Sequence, residues 1–139
     1  MPLLPAYTKI TLPLPHSDVP TVPLVTVGFG DTGESLREMA NSHAKALVIQ
    51  GLGAGHVPEQ VVQAVSELAS QMPVVLATRV ANGPVFERTY GFAGSEIDLI
   101  ARGLIPSKGL GAVKSRLLMQ LALASAKNHA AIRSLFNDL

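Results

Sequence analysis

The stretch ALVIQGLGAGHVPEQVVQAV, residues 46–65, constrains this chain more than any other. A short apolar run enters three glycines, Gly51, Gly53 and Gly55, and is followed by His56 and Pro58. Beyond Pro58 the apolar residues Val61, Val62, Val65, Leu68, Ala69 and Met72 recur with helical period. An unbroken apolar run of this length suits a strand covered on both faces, and proline is welcome in the first turn of a helix. Strand, tight turn and helix together make half of a βαβ unit. Two further runs fit the same plan: LVTVGF from Leu24 and PVVLATRV from Pro73. Between the first two strands, ESLREMANSH places Leu36, Met39, Ala40 and His43 on one helical stripe. The alternation predicts an α/β fold, a small parallel sheet of about four strands flanked by helices in a Rossmann-like three-layer arrangement.

The flanks are less regular. Residues 1–22 form a proline-rich arm or linker, since proline fixes φ and removes a backbone donor, and 23–139 form the α/β domain. A linker at the very start implies that a further segment precedes it. Residues 81–111 are glycine-rich and show no clean period except near IDLIARGLI, which fits a brief helix or an edge strand. Two helices close the chain. The first is expected to bury Leu110, Val113, Leu117, Leu121 and Ala124, the second Ile132, Leu135 and Phe136.

At 139 residues the chain is one domain, long enough to bury about two-thirds of its unfolded surface. Hydrophobic residues make up 47% and charged residues only 15%, with a mean hydropathy of +0.33. A chain this apolar is expected to hide surface against a partner. A net charge of +1, with scattered basic residues and 4% aromatics, leaves neither the footprint nor the stacking groups that nucleic acid requires. The absence of cysteine excludes disulfides and thiolate chemistry and fits a reducing compartment. No run reaches the ~20 apolar residues of a membrane span, and prolines interrupt the N-terminus where a signal peptide needs continuity. A cytoplasmic protein without membrane attachment is expected.

Each motif has a bland counterpart. The glycine turn resembles a dinucleotide fingerprint but has His56 at the third glycine position and no acid after the next strand, where Ala77, Thr78 and Arg79 stand. A tight turn needing positive φ accounts for Gly51 and Gly53, though not for His56 at the carboxyl edge of the sheet, where ligands bind in open α/β folds. Asp31–Gly33 spells the DTG of aspartic proteases, but those are all-β enzymes; Asp31 or Thr32 as a helix N-cap fits better. His16, His43, His56 and His129 lack metal-ligand spacing, and no Gly-x-Ser-x-Gly elbow exists around Ser95. No metal or cofactor is called for. Glu96 follows the small-residue loop YGFAGS, and from composition alone a solvated loop glutamate is the favoured account.

Taken in order, VTVGFGDTGESLREMA, ALVIQGLGAGHVPEQVVQAV, PVVLATRVANGPV, YGFAGSEIDLIARGLIPS and VKSRLLMQLALA…IRSLF resemble the C-terminal domain of the bacterial-type L-asparaginase/glutaminase family, from about Val22 to the chain end. The resemblance implies amide hydrolysis of L-asparagine to L-aspartate and ammonia, with the nucleophilic threonines in an N-terminal domain. The T-G-G-T-I and G-T-D-T motifs that carry them do not occur among the seven threonines here. The chain is therefore expected to have no catalytic residue of its own and to be inactive alone, working with an N-terminal domain or as a homo-oligomer. The resemblance makes Glu96 the group that holds the substrate's α-ammonium across a subunit boundary. His56, where the family often has Asn or Ser, is then a second substrate contact, with Gly55 beside it. Lys114 and Arg116 match the pattern too, and helix-surface or interface ion pairs account for them. The alternative is a stand-alone amino-acid-binding or dimerisation module without catalysis.

Overall fold

The computed structural model describes residues 9–12 and 18–139. Much of the proline-rich arm, including Pro2, Pro5, Pro13, Pro15 and His16, lies outside the described residues. Four parallel strands, β1 (Leu24–Thr26), β2 (Leu47–Gly51), β3 (Val74–Thr78) and β4 (Ile105–Pro106), pair in the order β1-β2-β3-β4. Helices α1 (Glu34–Ala40), α2 (Glu59–Gln71) and α3 (Glu96–Ala101) connect them in turn, and α4 (Ala112–Ala124) and α5 (His129–Asn137) follow β4.

The sheet order explains the layering. Parallel crossovers share one hand, so a sheet that grows in one direction keeps all of its crossover helices on one face. One core cluster accordingly joins Leu47, Ile49, Val74 and Leu76 to Leu36, Val61, Val65, Leu68 and Leu99 from α1, α2 and α3. The opposite face needs cover from beyond the last strand. Val48, Val75, Ala77 and Ile105 pack there with Met119, Ala122, Ile132 and Phe136 of α4 and α5. Both faces of β2 and β3 are covered, which is why these strands are apolar without alternation. The expected three-layer α/β fold is the observed one.

Ile10 and Leu12 rest against the second cluster. Arg116 Nε donates to the Val22 carbonyl at 2.9 Å, and Gln120 donates to that of Pro20. Arg116 is thus engaged with backbone instead of the expected ion pair.

Several local expectations need correction. Helix α1 ends at Ala40, Met39 is exposed, and His43 lies beyond the helix with φ 62°, so the proposed stripe reduces to Leu36 and Ala40. The N-cap of α1 is Gly33; Asp31 turns back and accepts the Gly28 amide at 2.8 Å. The run IDLIARGLI supplies both a helix and an edge strand, divided at Gly103, whose amide bonds Ile100 while that of Leu104 bonds Leu99 in a Schellman closure. In α4 the buried residues are Ala112, Ser115, Leu118, Met119, Ala122 and Ala124, whereas Val113 and Leu117 are 75% and 56% exposed. Only Lys114, Ser115, Arg116 and Gln120 are polar in that helix, so its sequence carries apolar residues on two sides and periodicity picks the wrong one. In α5, Ile132 and Phe136 are buried as expected, with Leu135 packed beside them.

Candidate functional site

The site lies at the carboxyl edge of the sheet, where β2 runs into its glycine turn. Leu52 and His56 exchange backbone hydrogen bonds at 2.8 Å, closing the loop between them. Gly55 takes φ 105°, and a Cβ there would meet Val85 Cγ1 at 2.8 Å. Gly51, by contrast, has no positive φ; it is needed because a Cβ would lie 2.7 Å from the His56 carbonyl. Thr78, at the end of β3, donates its hydroxyl to the Gly53 carbonyl and so ties the turn to the neighbouring strand.

The long connection from β3 to α3 folds over this turn. Its backbone is stitched down by Arg79 N–H to Gly51, Phe86 N–H to Ala54 and Val85 N–H to Lys108, at 2.9 to 3.1 Å. It ends at Gly94, whose carbonyl accepts the Val57 amide at 2.9 Å, and at Ser95, the N-cap of α3. Asp98 reaches back to the Gly94 amide at 2.9 Å, which pins the start of the helix.

Glu96 is the first residue of α3 and is fully buried, contrary to a solvated loop residue. Its Oε1 accepts the amides of Thr89 and Tyr90 at 2.8 and 2.7 Å, and its Oε2 lies 3.0 Å from His56 Nε2. Burial alone would push this carboxyl up. The amides of Tyr90, Thr89 and Glu96 itself, with the His56 ring, outweigh it and hold the group below its ordinary value. Glu96 is therefore an ionised carboxylate within the protein. The His56 ring stands edge-on to both Tyr90 and Phe92, with centroids 5.0 Å from each.

Beside the ring opens a depression of about 490 Å³ lined by Phe29, Leu52, Gly53, His56, Glu59 and Phe92 among others. Its walls are largely apolar and two aromatic residues stand at its rim: Phe29 is 88% exposed and Phe92 about half exposed. Such a site can seat a small ligand with an apolar stem and offer it the polar edge of His56.

Of the residues singled out from sequence, the structure brings His56, Gly55 and Glu96 together, although 40 positions separate the histidine from the glutamate. Lys114 lies away from them, against a separate depression with Arg79. Sequence reasoning missed Tyr90, Phe92 and Phe29. A signal existed: of six aromatic residues in the chain, Phe86, Tyr90 and Phe92 fall within one short loop. Among the described residues no cluster of three or more His, Asp or Glu side chains could hold a metal ion, and no helix is long and apolar enough to cross a membrane.

A family model described as the glutaminase/asparaginase C-terminal domain matches residues 21–136. A probable L-asparaginase of Deinococcus radiodurans is 38% identical over 99 residues, covering 71% of this chain and 30% of that protein. An L-asparaginase of Bacillus licheniformis is 29% identical over 110 residues, covering 78% of this chain and 34% of that protein. The chain thus spans about a third of the length of the curated relatives it matches.

Proposed function

The chain belongs to the glutaminase/asparaginase C-terminal domain family, and from that premise we propose that it supplies the amino-group recognition half of an L-asparagine amidohydrolase site. The observation that carries this reading is the 3.0 Å contact between His56 and the buried Glu96 at the carboxyl edge of the sheet. A fixed carboxylate–imidazole pair beside an apolar depression binds and orients a small amino acid, the ammonium facing the pair and the side-chain amide projecting outward. Hydrolysis then needs a hydroxyl nucleophile to attack the amide carbon and expel ammonia, leaving an acyl ester that a water molecule cleaves to release L-aspartate and restore the hydroxyl. That nucleophile comes from an N-terminal domain that completes the site, in the same polypeptide or in a partner subunit. The chain's own residues hold and orient the substrate; they do not attack it.

Ammonia release from L-asparagine tests this directly. The purified chain is expected to be inactive, to gain activity when mixed with the nucleophile-bearing half of a relative, and to lose it again in the Glu96→Gln variant. Activity of the isolated chain that survives repurification would overturn the dependence.

A second reading, an association module without catalysis, is favoured by one observation. Val113 and Leu117 form an outward apolar stripe on α4, on the opposite side from its buried face. Apolar surface of that kind marks a contact with another chain. Sedimentation that finds only monomer at high concentration would remove this reading.

A further inference from the structure

We infer that the depression on the α4 side of the sheet's carboxyl edge is a second binding site, and that its ligand is a small dianion, a dicarboxylate or a phosphate. The site is independent of the amino-acid reading above.

Side chains alternate across a strand, so Gln50 shares a face with Val48, and Arg79 with Val75 and Ala77. That face meets α4 and α5. The ends of β2 and β3 therefore carry Gln50 and Arg79 out beside the start of α4. There they line a depression of about 350 Å³ together with Val80, Gly109, Gly111 and Lys114. The carboxyl edge is where open α/β sheets take their ligands, and the His56 depression occupies the α2 side of the same edge.

Two observations point to an anion. The first is a pair of free cations. Among the described residues the side chains of Arg79 and Lys114 have no hydrogen bond or ion pair, and no Asp or Glu lines the depression. Like charges facing one hollow repel, and an anion seated between them relieves that repulsion. Gln50 adds a neutral donor, because its side-chain oxygen accepts the Thr26 hydroxyl at 2.9 Å and leaves the NH2 group to give. Both cations rise from fixed backbone: the Arg79 amide bonds the Gly51 carbonyl at 3.1 Å, and Lys114 stands in the first turn of α4.

The second observation is a floor of glycines that the fold does not require. Neither Gly109 nor Gly111 has a positive φ, and a Cβ on either would meet nothing within 4 Å. Glycine loses more backbone freedom on folding than any other residue, and here no left-handed turn or close approach calls for it. Space for a ligand accounts for both positions.

The charges select the ligand. An amino acid brings an ammonium for which the depression has no carboxylate, and a monoanion leaves one cation unmatched. Two negative charges match the two cations, and the guanidinium fork takes two oxygens of a carboxylate or phosphate at once. Val80 and Val113, both exposed, offer apolar wall to a short carbon stem. The cations stay open to water, so salt weakens the binding.

Amide NMR of the ¹⁵N-labelled full chain tests this, with succinate, inorganic phosphate, L-asparagine and sodium chloride as probes. We expect succinate, phosphate or both to move the amides of Arg79, Gly109 and Gly111 saturably at millimolar concentration, while chloride at equal ionic strength does not. The tighter of the two names the source of the charge. Arg79→Gln and Lys114→Gln are each expected to weaken that binding about tenfold, and Lys45→Gln, an exposed cation before β2, to leave it unchanged. Gly109→Val is expected to weaken it too while the melting temperature holds, since a Cβ there meets no neighbour. All of these positions are exposed, so the variants fold. No movement with tens of millimolar succinate or phosphate overturns the inference, and so does movement that chloride reproduces. An affinity unchanged in Arg79→Gln, in Lys114→Gln or in Gly109→Val overturns it as well. If L-asparagine moves the same amides as strongly as succinate, the depression does not select for charge and the inference fails.

Discussion

Replacing Glu96 by leucine keeps most of the side-chain volume and removes the acceptor. Three donors then lose their partner: the amides of Thr89 and Tyr90 and the His56 ring. A buried donor left unsatisfied costs about 1–3 kcal/mol, so a rigid structure would lose ~3–9 kcal/mol. The loop need not stay rigid, because Thr89 and Tyr90 are themselves exposed. Lifting the 88–92 segment lets water reach both amides, at the expense of the edge-on packing of Tyr90 and Phe92 on His56. Two half-exposed aromatic contacts amount to about 1–2 kcal/mol, and the His56 ring nitrogen still needs a partner. The cheaper route wins, and the expected loss is about 2–4 kcal/mol. Glutamine at the same position still accepts both amides and is expected to lose only about 1 kcal/mol. Urea denaturation of the two variants measures the difference, and amide exchange locates it: Thr89 and Tyr90 should open in the leucine variant while the β2 and β3 amides keep their relative protection. Equal stability of the leucine and glutamine variants, with unchanged exchange at Thr89 and Tyr90, would refute the claim that this carboxylate holds the loop.

Gly94→Ala should destabilise by about 2–4 kcal/mol, because φ is 87° and a Cβ would sit 2.3 Å from the Val57 carbonyl oxygen; thermal melting checks this. Leu117→Ser should change stability by less than about 0.5 kcal/mol, whereas Met119→Ala two positions on should lose about 2–5 kcal/mol, which denaturant titration separates. Stability should fall with acid in two windows, each with its sign fixed by the groups involved. Partial desolvation of an otherwise exposed ring, then the neighbouring Arg133, depresses the His129 pKa, so the folded state resists that proton and stability declines slightly as pH drops below about 6.5. The Glu96 pKa is also held down, so its contribution is complete above about 4.5 and is lost as pH falls through the lower folded value. A Glu96→Gln variant whose acid unfolding below pH 4.5 matches the unaltered chain would contradict the second window.

Much of the fold was legible because its signals are local. Unbroken Val, Leu and Ile runs mark β2 and β3, the Pro58 and Gly51–Gly55 punctuation marks the turn between strand and helix, and the spacing of Ile132 and Phe136 marks the inner face of α5. Where a helix is apolar on two sides, period alone does not choose between them. The sheet chose Leu118, Met119 and Ala122 of α4 and left Val113 and Leu117 outside. The candidate site divides in the same way. The residue types at 55, 56 and 96 were visible in the sequence, but the state of Glu96 depends on amides at 89 and 90 and a ring at 56. Only the folded path of the β3–α3 connection brings these together. Local sequence determined which elements form and where they break, because dihedral preference and hydrophobic period act over a few residues. The tertiary structure alone decided what is buried and which polar groups meet, because desolvation and hydrogen-bond partners are properties of neighbours far apart along the chain.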